Sequence, residues 1–117
     1  MLNKIRQFAA SVEGVFETVD TSRASELAGQ AFVLDARTPE EYADGHLKGA
    51  VLIPHTEVEA RTAKLPGDKE KPILVYCAAG ARSAHACQTL TRLGYKKVYN
   101  LDGGIIAWQD AGQPVVQ

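Results

Sequence analysis

Residues 73–83 govern our interpretation of the chain, and they read Ile73-Leu74-Val75-Tyr76-Cys77-Ala78-Ala79-Gly80-Ala81-Arg82-Ser83. The first five are apolar and rich in β-branched and aromatic types, which is typical of a strand buried on both faces. Small residues and a glycine follow, and a helix is predicted from Ser83 to Leu93, where Gly94 closes it. The segment therefore predicts a buried strand, a tight loop and a helix in direct succession.

Strand and helix signals also alternate on both sides of this segment. Further strands are predicted at 15–19, 31–35, 50–53 and 97–100, and helices at 21–29, 57–65 and 104–111. A short helix starts at Thr38-Pro39-Glu40-Glu41, where a cap, a proline and two acidic residues coincide. This alternation predicts an α/β fold with a mostly parallel five-stranded sheet and helices on both faces. Ligands of such folds bind beyond the carboxyl ends of the strands, here after Asp35, Ile53 and Cys77.

Composition narrows the class of protein. The chain has 117 residues, 45% of them hydrophobic and 23% charged, as expected for one globular domain. Its formal charge of −1 lacks the basic excess of a nucleic-acid binder, so we expect no nucleic-acid partner. Two cysteines, Cys77 and Cys87, cannot build a disulfide framework, and no Cys-x-x-Cys pair offers a zinc site. We expect neither a metal nor an organic cofactor.

The start of the chain has a pattern of its own. Leu2, Ile5, Phe8 and Val12 recur at helical spacing, which predicts an amphipathic helical extension over 1–14 ahead of a domain over 15–117. Such a helix would pack on the domain or on a partner, and a membrane-surface anchor is the alternative. Glu13 ends the apolar stretch too early for a secretory signal, and no run approaches the ~20 residues of a membrane span. We therefore expect a cytoplasmic protein without a membrane span.

Cys77 is the candidate nucleophile. It ends the most apolar strand, and the small residues after it can turn successive backbone N–H groups toward one point, forming an anion cradle. The start of the next helix and Arg82 add positive charge, which should lower the pKa of the thiol and favour the thiolate. A thiolate needs no general base to act as a nucleophile. The alternative is a core cysteine that happens to end a strand.

Several motifs agree in order and spacing with one known family. They are Val33-Leu34-Asp35-Ala36-Arg37, Glu40-Glu41-Tyr42, Gly45-His46-Leu47-Lys48-Gly49-Ala50, Ile53-Pro54, Val75-Tyr76-Cys77, Gly80-Ala81-Arg82-Ser83, Leu93-Gly94-Tyr95 and Leu101-Asp102-Gly103-Gly104 with Trp108. From Val15 to Gly112 the sequence thereby resembles the rhodanese (sulfurtransferase) family, as a single-domain member. The resemblance implies that Cys77 takes a sulfane sulfur from a donor and passes it, as a persulfide, to a thiophilic acceptor such as cyanide or a thiol. It also implies that the persulfide is held by the loop residues Ala78, Ala79, Gly80, Ala81, Arg82 and Ser83.

The length and the side chains of the loop separate the activities open to this fold. Cys77 and Arg82 have Cys-x4-Arg spacing, whereas phosphatases and arsenate reductases that resemble this fold use a loop one residue longer. Ala78, Ala79 and Ala81 carry no charge, whereas family members that favour thiosulfate can carry cationic loop side chains. The expected substrate is thus a small sulfur-containing anion or thiol: thiosulfate, or a persulfide or polysulfide. A protein donor or acceptor is the alternative, with the chain a sulfur carrier or regulatory module of little free turnover.

Four further residues have weaker signals. Asp35 and Arg37 lie near the expected loop, where they either orient substrate or brace the loops through an ion pair. Glu41 is placed to pair with Arg37 across the short helix. Cys87 shares helical spacing with apolar residues of its helix, which predicts core packing. A bond between Cys87 and Cys77 is not expected, since a disulfide needs Cα atoms within about 7 Å.

Overall fold

The computed structural model describes residues 15–117, so the predicted extension over 1–14 lies outside the described residues. The strands are β1 (Glu17–Val19), β2 (Phe32–Asp35), β3 (Val51–Leu52), β4 (Ile73–Tyr76) and β5 (Val98–Leu101). The α-helices are α1 (Thr21–Ala28), α2 (Pro39–Asp44), α3 (Ala81–Arg92) and α4 (Gly104–Asp110), and a 3-10 helix spans Glu59–Lys64 between β3 and β4. Among residues 15–117, no helix combines the length and the apolar character needed to cross a membrane.

All five strands form one sheet in the order β1-β5-β4-β2-β3, and every neighbouring pair is parallel. β4 is the central strand, with Val75 aligned with Leu34 of β2 on one side and with Asn100 of β5 on the other. The predicted α/β fold with a parallel five-stranded sheet is confirmed. Because the strands run in one direction, the carboxyl ends of β2, β4 and β5 meet at the same edge of the sheet.

The side chains of β4 alternate between two hydrophobic cores. Ile73 and Val75 belong to the core that includes Leu90 of α3, whereas Leu74 and Tyr76 belong to the core covered by α1 and α4. None of these four strand residues has exposed surface. Helices on both faces thus explain why β4 is apolar at every position.

The segment predicted as a helix over 57–65 is less regular than expected. It is a 3-10 helix over Glu59–Lys64 whose backbone leaves helical geometry at Arg61. None of its six residues is buried, and the buried apolar residues Val58 and Leu65 flank it instead. A regular helix draws most of its stability from a packed apolar face, which this segment lacks. It is held in place by its two ends and adopts the tighter 3-10 geometry.

Candidate active site

Cys77 follows directly on β4, and the loop behind it curls around the sulfur. The residue is only 1% exposed. The backbone N–H of Gly80 donates to the sulfur at 3.0 Å, and the Ser83 hydroxyl lies 3.3 Å from it. Gly80 has a φ of 124°, a conformation that favours glycine, and α3 begins at the next residue, Ala81. This early helix start, two residues ahead of the predicted one, directs the loop N–H groups inward.

Two opposing influences act on the pKa of the Cys77 thiol, namely burial and hydrogen bonding. Burial is the largest single influence and raises the pKa, because it penalises the charged thiolate. The Ser83 hydroxyl and the backbone N–H groups of Ser83, Gly80 and Ala79 lower the pKa, and together they prevail. The net pKa lies below its ordinary value, so the loop favours the nucleophilic form of the sulfur.

The start of α4 supports the loop from behind. The backbone N–H of Ile105 donates to the Cys77 carbonyl at 2.9 Å, and that of Ile106 donates to the Ala78 carbonyl at 3.2 Å. A Cβ atom on Gly104 would overlap with the backbone of Cys77 and Ala78, so glycine alone allows this approach. With their carbonyls held toward α4, the loop residues present their N–H groups to the sulfur.

Arg82 binds Glu41 at the mouth of the loop. The guanidinium Nη1 and Nη2 donate to the two carboxylate oxygens at 2.7 and 2.9 Å. The predicted pairing of Glu41 with Arg37 is wrong, because Arg37 is buried against Asp35 while Glu41 faces the start of α3. The bonds from Arg82, with smaller contributions from the backbone N–H and the hydroxyl of Thr38, lower the pKa of Glu41 to about 2.

Asp35 and Arg37 form a buried network with Tyr76. Arg37 Nε and Nη2 donate to the Asp35 carboxylate at 3.0 and 2.8 Å, and the Tyr76 hydroxyl donates to it at 2.7 Å. The Tyr76 hydroxyl accepts from the backbone N–H of Leu47 at 3.1 Å, and Arg37 Nη2 also donates to the Gly45 carbonyl at 2.7 Å. These bonds tie the ends of β2 and β4 to the loop before β3, a geometry that favours bracing. Substrate contact by either residue stays a prediction.

The rim of the loop is small and carries little charge. Ala79 and Ala81 are exposed, and Ala78 is half-buried. Beside the loop, the His55 and His85 rings meet edge to face with centroids 5.4 Å apart. Burial, and then the charges of His85 and Arg82, lower the pKa of His55, so that this imidazole favours its neutral form.

Cys87 packs in the core, as its helical spacing predicts. It has no exposed surface, and both it and Cys77 are free thiols. Burial, followed by the charge of Cys77, raises the pKa of Cys87, so it stays a neutral thiol. Within residues 15–117, no three side chains of His, Cys, Asp or Glu lie close enough together to hold a metal ion.

Sequence reasoning missed the site roles of Gly104 and Asn100. Gly104 supports the loop as described above, and the Asn100 side chain accepts a hydrogen bond from Ser83 at 2.6 Å. The Gly103-Gly104 pair at a helix start was an available signal for a close approach of two backbones. A polar side chain near the end of a buried strand was the corresponding signal for Asn100.

The fold and this loop define a class of protein: parallel α/β domains with a buried cysteine, held by loop N–H groups, at the carboxyl end of the central strand. Residues 20–111 match the family described as the Rhodanese-like domain. The chain therefore belongs to the rhodanese family, as the motifs of its sequence predict.

Known relatives agree with this assignment. A sulfurtransferase of Allochromatium vinosum is 42% identical over 84 residues, which cover 72% of this chain and 77% of the relative. The thiosulfate sulfurtransferase PspE of Escherichia coli is 41% identical over 70 residues, covering 60% of this chain and 67% of the relative. The crystal structure of a rhodanese-related protein from Thermoplasma volcanium has a TM-score of 0.77 at 33% identity, covering 86% of this chain and 98% of that one. Family and relatives support sulfur transfer as the general activity.

Proposed function

We propose that this protein is a sulfurtransferase that carries a sulfane sulfur on Cys77 as a persulfide. The observation that supports this most directly is the pair of donors, the Gly80 N–H and the Ser83 hydroxyl, within hydrogen-bond reach of the sulfur. Donors that stabilise a thiolate also suit the anionic outer sulfur of a persulfide. The nucleophile and its covalent intermediate thus share one cradle.

The reaction proceeds in two displacement steps. In the first, the Cys77 thiolate attacks the outer sulfur of thiosulfate, a new S–S bond forms, and the electron pair of the old S–S bond leaves with sulfite. In the second, cyanide attacks the outer sulfur of the persulfide and leaves as thiocyanate, while the S–S electron pair returns to Cys77 as the thiolate. A thiolate acceptor follows the same course and leaves as a persulfide.

The surroundings of the cysteine favour donors other than thiosulfate as well. The alanines of the loop add no charge, and the Arg82 guanidinium is paired with Glu41. A dianion such as thiosulfate gains little electrostatic attraction from the mouth of the loop. A persulfide or polysulfide of a small thiol depends less on such attraction. Because Cys77 is 1% exposed, the donor must present its sulfur on a slender end. The name of the Escherichia coli relative makes thiosulfate the reference donor for experiments.

Turnover assays of two cysteine variants test the proposal. We expect Cys77→Ser to abolish the thiocyanate formation that exceeds the uncatalysed rate, with thiosulfate or glutathione persulfide as donor and cyanide as acceptor, because serine forms no persulfide. Cys87→Ser is the matched control, since Cys87 is the second free thiol and is buried away from solvent. It should retain most of the activity. Wild-type turnover by the Cys77→Ser protein would contradict the mechanism.

Loading without turnover would favour the alternative function. In that case Cys77 would accept sulfur but release it slowly to cyanide and small thiols, as expected of a carrier that serves a protein partner. Cys77-dependent hydrolysis of a phosphate ester would instead favour phosphatase chemistry, against which the Cys-x4-Arg spacing argues.

A further inference from the structure

Asn100 is a buried polar residue that contacts the active-site loop from β5. It is 5% exposed and lies level with Val75 of the central strand. Both ends of its amide are bonded within the site. Oδ1 lies 2.6 Å from the Ser83 hydroxyl, and Nδ2 donates to the Gly80 carbonyl at 3.3 Å. A buried amide is costly unless it is hydrogen-bonded, and here both bonds go to residues that surround the sulfur.

The partners of Asn100 determine how its amide is oriented. The Gly80 carbonyl can only accept a hydrogen bond, so the amide nitrogen must face it. The amide oxygen then faces Ser83, and since that oxygen can only accept, the Ser83 hydroxyl must donate to it. The short distance of 2.6 Å agrees with a strong O–H···O bond.

One hydroxyl proton therefore serves three acceptors. The Ser83 oxygen lies 2.6 Å from Asn100 Oδ1, 3.1 Å from the Gly80 carbonyl and 3.3 Å from the Cys77 sulfur. A serine hydroxyl has a single proton, so it can donate fully to only one of them at a time. The shortest contact assigns this proton to Asn100 while the sulfur is a neutral thiol, whose own S–H can donate to the Ser83 oxygen.

We propose that Asn100 is a positioning residue that competes with the Cys77 sulfur for the proton of Ser83. When the sulfur becomes a thiolate, the charge strengthens its bond to the hydroxyl, and the proton turns from Asn100 to the sulfur. When the sulfur is neutral again, the proton returns to Asn100. Asn100 thereby limits how far Ser83 stabilises the thiolate. The inference deepens the proposed function, because it concerns the nucleophile of the same reaction.

Other titratable and charged groups lie around the same site on the neighbouring elements, and they are the same in every variant compared below. Arg82 of α3 is paired with Glu41 of α2, and Asp35, the last residue of β2, is paired with Arg37. Further groups are the Tyr76 hydroxyl, which is bonded to Asp35, the neutral thiol of Cys87 and the imidazoles of His55 and His85. A difference between variants of Asn100 and Ser83 therefore reports on the shared hydroxyl proton.

The test is a double-mutant cycle on the pKa of Cys77, measured as the rate of alkylation by iodoacetamide against pH with the label located by mass spectrometry. Asn100→Leu is similar in size and has no acceptor, so it should lower the pKa by about 0.5 to 1, the equivalent of one hydrogen bond. Ser83→Ala should raise the pKa, since the hydroxyl is lost. The pKa of Cys77 in the double variant should equal that in Ser83→Ala, because without the hydroxyl there is no proton for which Asn100 and the sulfur compete.

A second variant, Asn100→Asp, keeps the inference testable if Asn100→Leu does not fold. Asn100→Asp keeps an oxygen acceptor toward Ser83 and should not lower the pKa of Cys77. An unchanged or raised pKa in folded Asn100→Leu, or the same decrease with and without the Ser83 hydroxyl, would overturn the inference. If Asn100→Leu is unfolded, a lowered pKa in Asn100→Asp would overturn it. Alkylation needs no sulfur donor, so loss of sulfur transfer with the expected alkylation profiles would refute only the proposed function.

Discussion

Arg82 carries a positive charge at the mouth of the loop, and the Glu41 carboxylate neutralises much of it. The two side chains are 32% and 34% exposed, so their attraction is screened by water. The guanidinium of Arg82 therefore lies beside the loop as part of an ion pair and not as a free positive charge. The charges of Arg82 and Cys77 do attract each other, as the sequence predicts, but Glu41 is the larger influence on Arg82.

The ion pair predicts a specific pH dependence of stability. Because Arg82, with a smaller contribution from Thr38, lowers the pKa of Glu41 from 4.5 to about 2, the folded state is stabilised above pH 4.5, and this contribution is lost as the pH falls toward 2. We expect Glu41→Gln to reduce the free energy of unfolding at pH 7 by less than about 1 kcal/mol, since the pair is partly exposed. The difference from wild type should shrink as the pH falls through this window.

Urea denaturation at several pH values measures this difference. Glu40→Gln is the matched control, because Glu40 is the exposed neighbour in the same helix turn and removes the same charge. It should change stability less than Glu41→Gln at pH 7. A Glu41→Gln effect that is equal at pH 7 and pH 2 would contradict the assigned role of the pair.

The strand, loop and helix around Cys77 could be predicted from residues 73–83, because an apolar run, a glycine and a helix start follow each other in sequence. The partner of Arg82 could not. Glu41 is far from Arg82 in sequence, and their contact depends on how α2 and α3 pack at the edge of the sheet. Local spacing favoured Arg37 for Glu41, but Asp35 binds Arg37 in the interior.

At the scale of elements, the start of α4 determines the shape of the loop. Gly104→Ala would place a methyl group against the backbone of Cys77 and Ala78, at a φ of 60° that already disfavours side chains. We expect this change to move the loop, to lower sulfur transfer at least about tenfold, as for small misplacements of reacting groups, and to reduce stability.

Gly29→Ala serves as the control for this substitution. Gly29 has an ordinary φ of −72°, and a Cβ atom there meets nothing within 4 Å. Its turnover and melting temperature should stay near those of wild type. Wild-type turnover in Gly104→Ala would show that the loop does not depend on this close approach.

Regular elements with a clear apolar pattern were predictable, and irregular ones were not. β4 and α3 were predicted because each buries a continuous apolar strand or face. The 3-10 helix over Glu59–Lys64 has a helical composition but no buried residue, so its geometry depends on the flanking buried residues Val58 and Leu65. The support that Gly104 gives the loop likewise depends on a backbone contact across the fold.

At the scale of the molecule, the network of Asp35, Arg37 and Tyr76 joins two strands to the loop before β3. Asp35 has no exposed surface and Arg37 is 6% exposed. Asp35→Asn would leave the Arg37 charge buried without its counter-ion, and we expect a loss of about 3 kcal/mol in the free energy of unfolding. Asp110→Asn, at the exposed end of α4, removes the same charge and should change stability by less than about 0.5 kcal/mol.

Chemical denaturation of both variants at pH 7 measures these losses. A fully stable Asp35→Asn protein with reduced sulfur transfer would contradict the bracing role and would favour substrate contact by this carboxylate. Loss of stability with normal turnover per folded molecule would support bracing.

The overall fold was predictable from the sequence because alternating strand and helix signals admit few arrangements. The sulfur donor was not, since three alanines at the rim offer no side-chain chemistry that selects one. The carboxyl-end location of the site follows from the parallel sheet, whereas the network around Asp35 depends on contacts between distant segments.

The most direct test of the account is the intact mass of the protein after thiosulfate or glutathione persulfide, and again after cyanide. We predict that wild type and Cys87→Ser gain the mass of one sulfur atom and lose it to cyanide, and that Cys77→Ser gains none. An equal gain by Cys77→Ser, or an unchanged wild-type mass with both donors, would contradict a persulfide on Cys77.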